Sequence, residues 1–424
     1  MQQSETHRPD LAEVCNQRAL QRDERVVPML IVEQSAPLPG LIMPPSVHVL
    51  APPTVTTSPT IPTKSDVLAV LPAEVFEINT VRSMRYAISA TVLTLIPALL
   101  AWQFLPLTWA WLPAWIVYAL VTGTLACGVW VIAHECGHGA FSKNKFVQDS
   151  VGFVLHSSLL VPYFSWQRSH AMHHAKTNHL TDGETHVPLR ADTAPGKRSL
   201  AWRRRLGTRL HATLNIAGHL LVGWPVYLLT GATSGGDRPT NHFWPWKPFA
   251  SKLFPARFAK RVLASGAGVF VVIALLTWWA LATSPMLVVA LYGGPYLVNN
   301  AWLVGYTWLH HTGANTPHLD GDQWSYVRGA FSSIDRPYGR LFDTLHHRIG
   351  STHAAHHLVS RIPHYHAEQA TVAIKEAFPD LYQYDPTPVP KALWRLGKEC
   401  VAVAETDDGW FYVAEIDDAV RPSR

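Results

Sequence analysis

The sequence predicts an all-α integral membrane protein: two transmembrane helical hairpins, four spans in all, with a histidine-rich helical cap on the cytosolic side. Three observations predict it. Residues 86–133 and 262–310 each run about 48 residues without Asp, Glu, Lys or Arg, enough for two spans of about 20 residues and a turn. The connection between these runs is rich in Lys and Arg, whereas neither run carries any. The chain has 23 histidines, and many of them cluster just beyond the ends of the apolar runs. Composition agrees: charged residues are 15% of the chain, against about 25% in ordinary globular proteins. A mean hydropathy of +0.06 means that the membrane part is diluted by polar parts. The formal charge of +5 suits anionic lipid headgroups. With no basic stripe interleaved with aromatics, a nucleic-acid partner is not expected.

The elements follow in chain order. Residues 1–80 lack helical periodicity and are rich in Pro, Ser and Thr between Pro28 and Pro62, so a disordered cytosolic extension is predicted there. The first 30 residues have no apolar core flanked by basic residues, so no cleaved signal peptide is expected. The membrane domain is placed at 81–384. Its first hairpin, 86–133, turns where Pro106 and Pro113 bound Trp109 and Trp111, aromatics that favour the membrane interface. The second, 262–310, breaks at Ser284-Pro285. Arg203, Arg204, Arg205 and Arg209 lie in the connection, which the positive-inside rule puts in the cytosol together with both termini. Two shorter apolar stretches, 151–164 and 214–230, are predicted to lie in the interface, because one additional span would put the last histidines on the other side. Residues 385–424 read as a cytosolic tail. Cys15, Cys127, Cys136 and Cys400 form no disulfide framework and suit a reducing compartment.

The histidines carry the chemistry. His134 and His138 (HECGH) stand four apart at the cytosolic end of the second span, hence on one helical face. His170, His173 and His174 (HAMHH) fall at i, i+3, i+4, and His353, His356 and His357 (HAAHH) repeat that spacing. One HxxxH pair alone is more often a core or surface feature than a metal site. Three such clusters beside two apolar hairpins on one face are not. Imidazole suits Fe, Zn, Cu and Ni, and eight imidazoles exceed what one ion takes, so two ions are the natural count. A zinc-dependent membrane hydrolase would need only three or four ligands, usually with a carboxylate. His156, His346 and His347 are candidates to support the ligands. Asp182, Glu184, Asp335 and Asp343 are candidate acceptors for the imidazoles' other N–H.

The words around these histidines, HECGHGAFS (134–142), LVPYFSWQRSHAMHH (160–174) and THAAHHLVSRIPHYHAEQAT (352–371), resemble the three histidine boxes of membrane fatty-acyl desaturases. The closest likeness is to the microsomal acyl-lipid Δ12 and ω3 type, and it runs from about Val75 to Tyr384. The resemblance implies a di-iron centre, O2 as co-substrate reduced to water, and a cis double bond placed in a phospholipid-bound acyl chain. It also implies residence in the endoplasmic reticulum and electrons from cytochrome b5 and its NADH reductase. It makes iron ligands of the eight box histidines. It adds a ninth at the cytosolic end of the fourth span, where His311, followed by Thr312, matches better than His310, expected to stay solvated. Asn300, on nearly the same helical face as His311, is a candidate to support that ligand. Glu135 is more usual in Δ12 than in ω3 types. An ω3 or sphingolipid desaturase, an acyl hydroxylase or an acetylenase would share every motif.

Overall fold

The computed structural model describes residues 60–236, 239–249 and 251–415. Its first element is a short helix, α1 (Lys64–Ala69), started by a reciprocal cap between Thr63 and Asp66. A single turn at Ala73–Phe76 follows. Val67, Leu71 and Val75, spaced one turn apart, bury against Phe331, Leu358, Ile362 and Ile374. The predicted disorder therefore does not extend to residue 80: the apolar spacing from 67 to 75 docks this stretch on the cap. Residues 1–59, the rest of that predicted extension, lie outside the described residues.

The long helices come next. α2 (Thr80–Phe104) and α3 (Leu112–His138) form the first hairpin, turning through Trp109–Trp111. α3 stops at Gly139, whose φ of 80° is the left-handed conformation that glycine adopts without strain. His138 is thereby fixed as the last helical residue. α4 (Lys145–Ser158) and α5 (Tyr163–Ala175) are short and return the chain to the end of α3. α6 (Ala194–Thr230) is two helical stretches joined by a kink at Gly207, whose φ of 75° and ψ of 160° are not helical. α7 (Ala259–Ala282), a single turn α8 (Pro285–Val288) and α9 (Gly294–His311) make the second hairpin.

Among the described residues, five helical stretches are long and apolar enough to cross a membrane: Thr80–Phe104, Trp109–His138, Ala194–Thr230, Ala256–Ala282 and Pro285–His311. Four are the predicted spans. The additional one contains the stretch 214–230, read from the sequence as a short interfacial helix; here it lies in the helical stretch that follows the kink at Gly207. α2 and α7 leave Leu99, Phe270, Leu275 and Leu281 exposed, an apolar surface that suits lipid. α3 is the inner helix, packed along α2, α4 and α9. A Cβ at Gly123 would lie 2.5 Å from Pro295 O and Val298 Cβ, so the absent side chain lets α3 and α9 meet closely.

Beyond α9 the chain builds the cap: α10 (Tyr326–Phe331), strand β1 (Ile334–Asp335), α11 (Gly339–Leu345), α12 (His353–Leu358) and α13 (His364–Ala377), then strand β2 (Gln383–Tyr384), parallel to β1. The segment read as a tail is folded as far as it is described. α14 (Val389–Glu399) buries Leu396 against Trp308 and Leu309 of α9. The hairpin of β3 (Ala402–Thr406) and β4 (Gly409–Val413) packs Ala402 on Ala191 and Leu200.

Candidate metal centre

The end of α3, the end of α5, the end of α9 and the whole of α12 converge on one buried volume. Each places its histidines by helical spacing, and the eight box histidines and His311 meet there in two groups. Ligand atoms of His134, His138, His170, His174 and His356 lie within 4.8 Å of one another, and so do those of His173, His311 and His357. His353 joins the second group, its Nε2 3.0 Å from His311 Nε2. The groups adjoin, because the rings of His174 and His357 stack at 4.0 Å between centroids.

The facing nitrogens are all Nε2: His134 and His138 at 3.2 Å, His170 and His174 at 3.1 Å, His173 and His311 at 3.0 Å. Two imidazole nitrogens bound at right angles to one ion, at metal–nitrogen distances of about 2.1 Å, stand about 3 Å apart, so the spacing fits a shared ion. Where Nδ1 has a partner, that partner holds the ring with its Nε2 lone pair inward. His353 Nδ1 donates to Ile349 O at 3.3 Å and His357 Nδ1 to Thr177 Oγ1 at 2.9 Å. The Nε2 atoms of His356 and His357 are buried without a partner among the described residues. Burial pushes the His173 pKa down to about 3. Burial, then repulsion from neighbouring imidazoles, holds His170, His174, His353, His356 and His357 well below the usual range. Neutral, inward-facing, unpaired imidazoles are what a transition metal requires. The residues fit two ions.

The structure separates the two histidines at the end of α9. His311 faces the second group. His310 is fully buried rather than solvated: its Nδ1 donates to Ile334 O and its Nε2 accepts from Tyr338 Oη at 3.1 Å. Both of its nitrogens are thereby occupied.

The other candidates stand further off. His346 is spent on structure, accepting from Tyr306 Oη at 2.8 Å and donating to Thr124 O at 2.8 Å. His347 packs on Tyr86 and His364. His156 touches Trp130, Tyr163 and Trp166, so it backs the rings that back the cage. Asn300 is buried, with Tyr296 as its polar neighbour. It sits eleven positions before His311 in one continuous helix, about 16 Å along the axis, so a shared face does not bring it to the cage. Of the candidate acids, Glu184 accepts from Tyr227 Oη at 2.9 Å. Asp335 accepts from the Ala354 N–H at 2.8 Å rather than from an imidazole. Burial raises the Asp335 pKa to about 6, against the opposing hydrogen bonds from Ala354 and Tyr382.

Some contributors were not foreseen. Trp130 stacks on His134 and Trp166 on His170, at 5.4 and 4.6 Å between centroids. The signal was present, because each tryptophan stands four residues before the first histidine of its box. Thr177, one turn beyond His173, was equally on the ligand face. Beside His170 and His173 opens a cavity of about 70 Å³, walled by Trp130, Trp166, Trp224 and Leu303.

Comparisons with known proteins agree with this geometry. The family described as fatty acid desaturase matches residues 109–387, well over half of the chain. A "Delta(12) fatty acid desaturase FAD2" of Calendula officinalis is 41% identical over 343 residues, covering 80% of this chain and 84% of the relative. An "Omega-6 fatty acid desaturase, endoplasmic reticulum" of Brassica juncea is 39% identical over 333 residues, 78% of this chain and 81% of the relative. An "Oleoyl-12-hydroxylase FAH12" of Ricinus communis is 38% identical over 351 residues, 82% and 88%. On its matched length, its apolar helices and its converging histidines, the chain belongs to the fatty acid desaturase family.

Proposed function

We propose that this protein places a cis double bond at the Δ12 position of a phospholipid-bound acyl chain, with O2 as co-substrate and two irons as cofactor. His134, His138, His170, His174 and His356 would hold one iron, and His173, His311, His353 and His357 the other. The observation that carries this reading is the pair of adjoining nests of imidazoles in one buried volume. A methylene offers neither an acidic proton nor a leaving group, so side-chain acid–base chemistry cannot act on it; two irons supply the activation of O2 that can. The chain's own residues do the rest. The cavity walled by Trp130, Trp166, Trp224 and Leu303 receives the reacting methylenes of the acyl chain beside His170 and His173 and excludes water. Trp130 and Trp166 keep the ligand rings from turning. The Δ12 position is supported by relatives named for it at 39–41% identity. Hydroxylation at the same carbon is the second reading, favoured by the relative named as a 12-hydroxylase.

We further infer four spans, with both termini in the cytosol of the endoplasmic reticulum membrane, and cytochrome b5 with its NADH reductase as electron donors. Parity supports the count. The Nε2 atoms of His173 and His311 are 3.0 Å apart and therefore on one side of the membrane. α7 and α9 cross and return between them, so α6 cannot also cross. Relatives named for the endoplasmic reticulum support the compartment. The deciding experiment is expression in a host that lacks polyunsaturated lipids, followed by lipid analysis. A new Δ12 double bond is expected; a 12-hydroxyl product favours the second reading. Metal analysis showing one zinc instead of two irons defeats both.

A further inference from the structure

We propose that the Ile334–Asp335–Arg336 segment is a clasp that positions the second histidine group, so that it decides whether the chain holds one metal ion or two. The inference rests on the di-iron reading above.

The two groups are built differently. The first takes His134 and His138 from α3 and His170 and His174 from α5, helices that pack directly on each other; only His356 comes from elsewhere. The second takes His173 from α5, His311 from α9, and His353 and His357 from α12. Its geometry therefore depends on how α9 and α12 are held together, and three consecutive residues hold them. Ile334 O accepts from His310 Nδ1, which sets the last turn of α9. Arg336 Nε donates to Leu309 O at 3.0 Å, satisfying a carbonyl that the end of a helix leaves unpaired. Asp335 Oδ1 accepts from the Ala354 N–H at 2.8 Å. That N–H belongs to the first turn of α12, whose own N-cap residue, Thr352, makes no side-chain cap bond. Asp335 thus supplies from another element the acceptor that a cap residue normally provides.

Both side chains are completely buried, so each must be paired to stay there. Asp335 also accepts from Tyr382 Oη at 2.7 Å, and Arg336 pairs with Asp385 Oδ2 at 2.6 Å. Arg395 binds the same Asp385 oxygen. The clasp is thereby anchored to the segment 382–395, which contributes no histidine to either group.

The test is metal stoichiometry on purified, monodisperse full-length protein: iron per chain by mass spectrometry, with a spectroscopic assay for coupled against isolated iron. Wild type should hold two irons. Asp335→Ala and Arg336→Gln should hold about one, with the signature of an isolated ion. Asp335→Asn keeps an acceptor oxygen for the Ala354 N–H and should stay close to two. If the buried-site variants do not fold, Tyr382→Phe and Asp385→Asn disturb the clasp only from outside. They should weaken the second iron roughly tenfold, as supporting residues commonly do, and leave the first in place. Two irons held with wild-type affinity in the folded variants overturns the clasp. So does equal weakening of both irons, which would make these residues general scaffold. A wild-type chain with a single ion or another metal overturns the di-iron reading itself, and the clasp with it.

Discussion

At the scale of single residues, protonation and metal compete for the same lone pairs. Burial keeps His170, His173, His174, His353, His356 and His357 neutral, whereas unfolding returns them to a pKa near 6.5. Their folded-state pKa values are depressed, so the stability they contribute is complete above pH ~6.5 and is lost as pH falls below it. The slope is up to ~1.4 kcal/mol per pH unit for each histidine. Melting temperatures of chelator-stripped protein should therefore drop steeply from pH 6.5 to 5, and added iron should delay the drop. Replacing any one of the nine proposed ligands with Ala should reduce product formation at least a hundredfold while leaving membrane insertion intact; lipid analysis and fractionation check the two halves. His311→Ala should lose iron as well. His310→Ala should keep all nine metal-facing imidazoles, weaken the second iron as the other clasp variants do, and lose about 1–3 kcal/mol of stability, since it strands a buried carbonyl and a tyrosine hydroxyl. A higher iron loss in His310→Ala than in His311→Ala would reverse the assignment. At this scale the sequence was most legible, because i, i+3, i+4 spacing alone puts ligands on one face. It was least legible for Asp335 and Arg336, whose partners are backbone groups that no spacing rule reveals.

At the scale of elements, helix ends and close approaches decide the site. Gly139 ends α3 at His138, and the bare Cα of Gly123 lets α9 lie against α3. Gly123→Leu should force α9, and His311 with it, away from the other ligands. The expected cost is about 1–3 kcal/mol from overpacking, read as a lower melting temperature with partial loss of iron. α6 is the element that the sequence described least well. Its apolar part follows a kink at Gly207, and the basic stretch before that kink is helical as well, which hydropathy alone does not mark. Accessible tags near Arg204 and at both termini, with protected tags near Thr108 and Ser284, are expected in sealed microsomes. A protected C-terminus would mean that α6 crosses.

At the scale of the molecule, the uncharged runs announced the two hairpins and the histidine words announced the site. The folding of residues 64–76 onto the cap, and of 385–415 onto α6 and α9, was not announced. The apolar positions of these segments are few and find their partners far away in sequence, Val75 beside Ile374 and Leu396 beside Trp308. Iron chelation should lower the melting temperature of the whole protein in one step, because the ligands come from four helices that share one buried volume.

The uneven construction of the two histidine groups also has a consequence in time. A chain emerges from the ribosome N-terminus first. Four of the five ligands of one group exist once residue 174 has been made, while the other group is incomplete until residue 357. One ion can thus be captured while the second hairpin is still being synthesised, and the other only when the chain is nearly complete. Nascent chains stalled after α5 should already retain iron on a size-exclusion column. The order of loading is written into the order of translation.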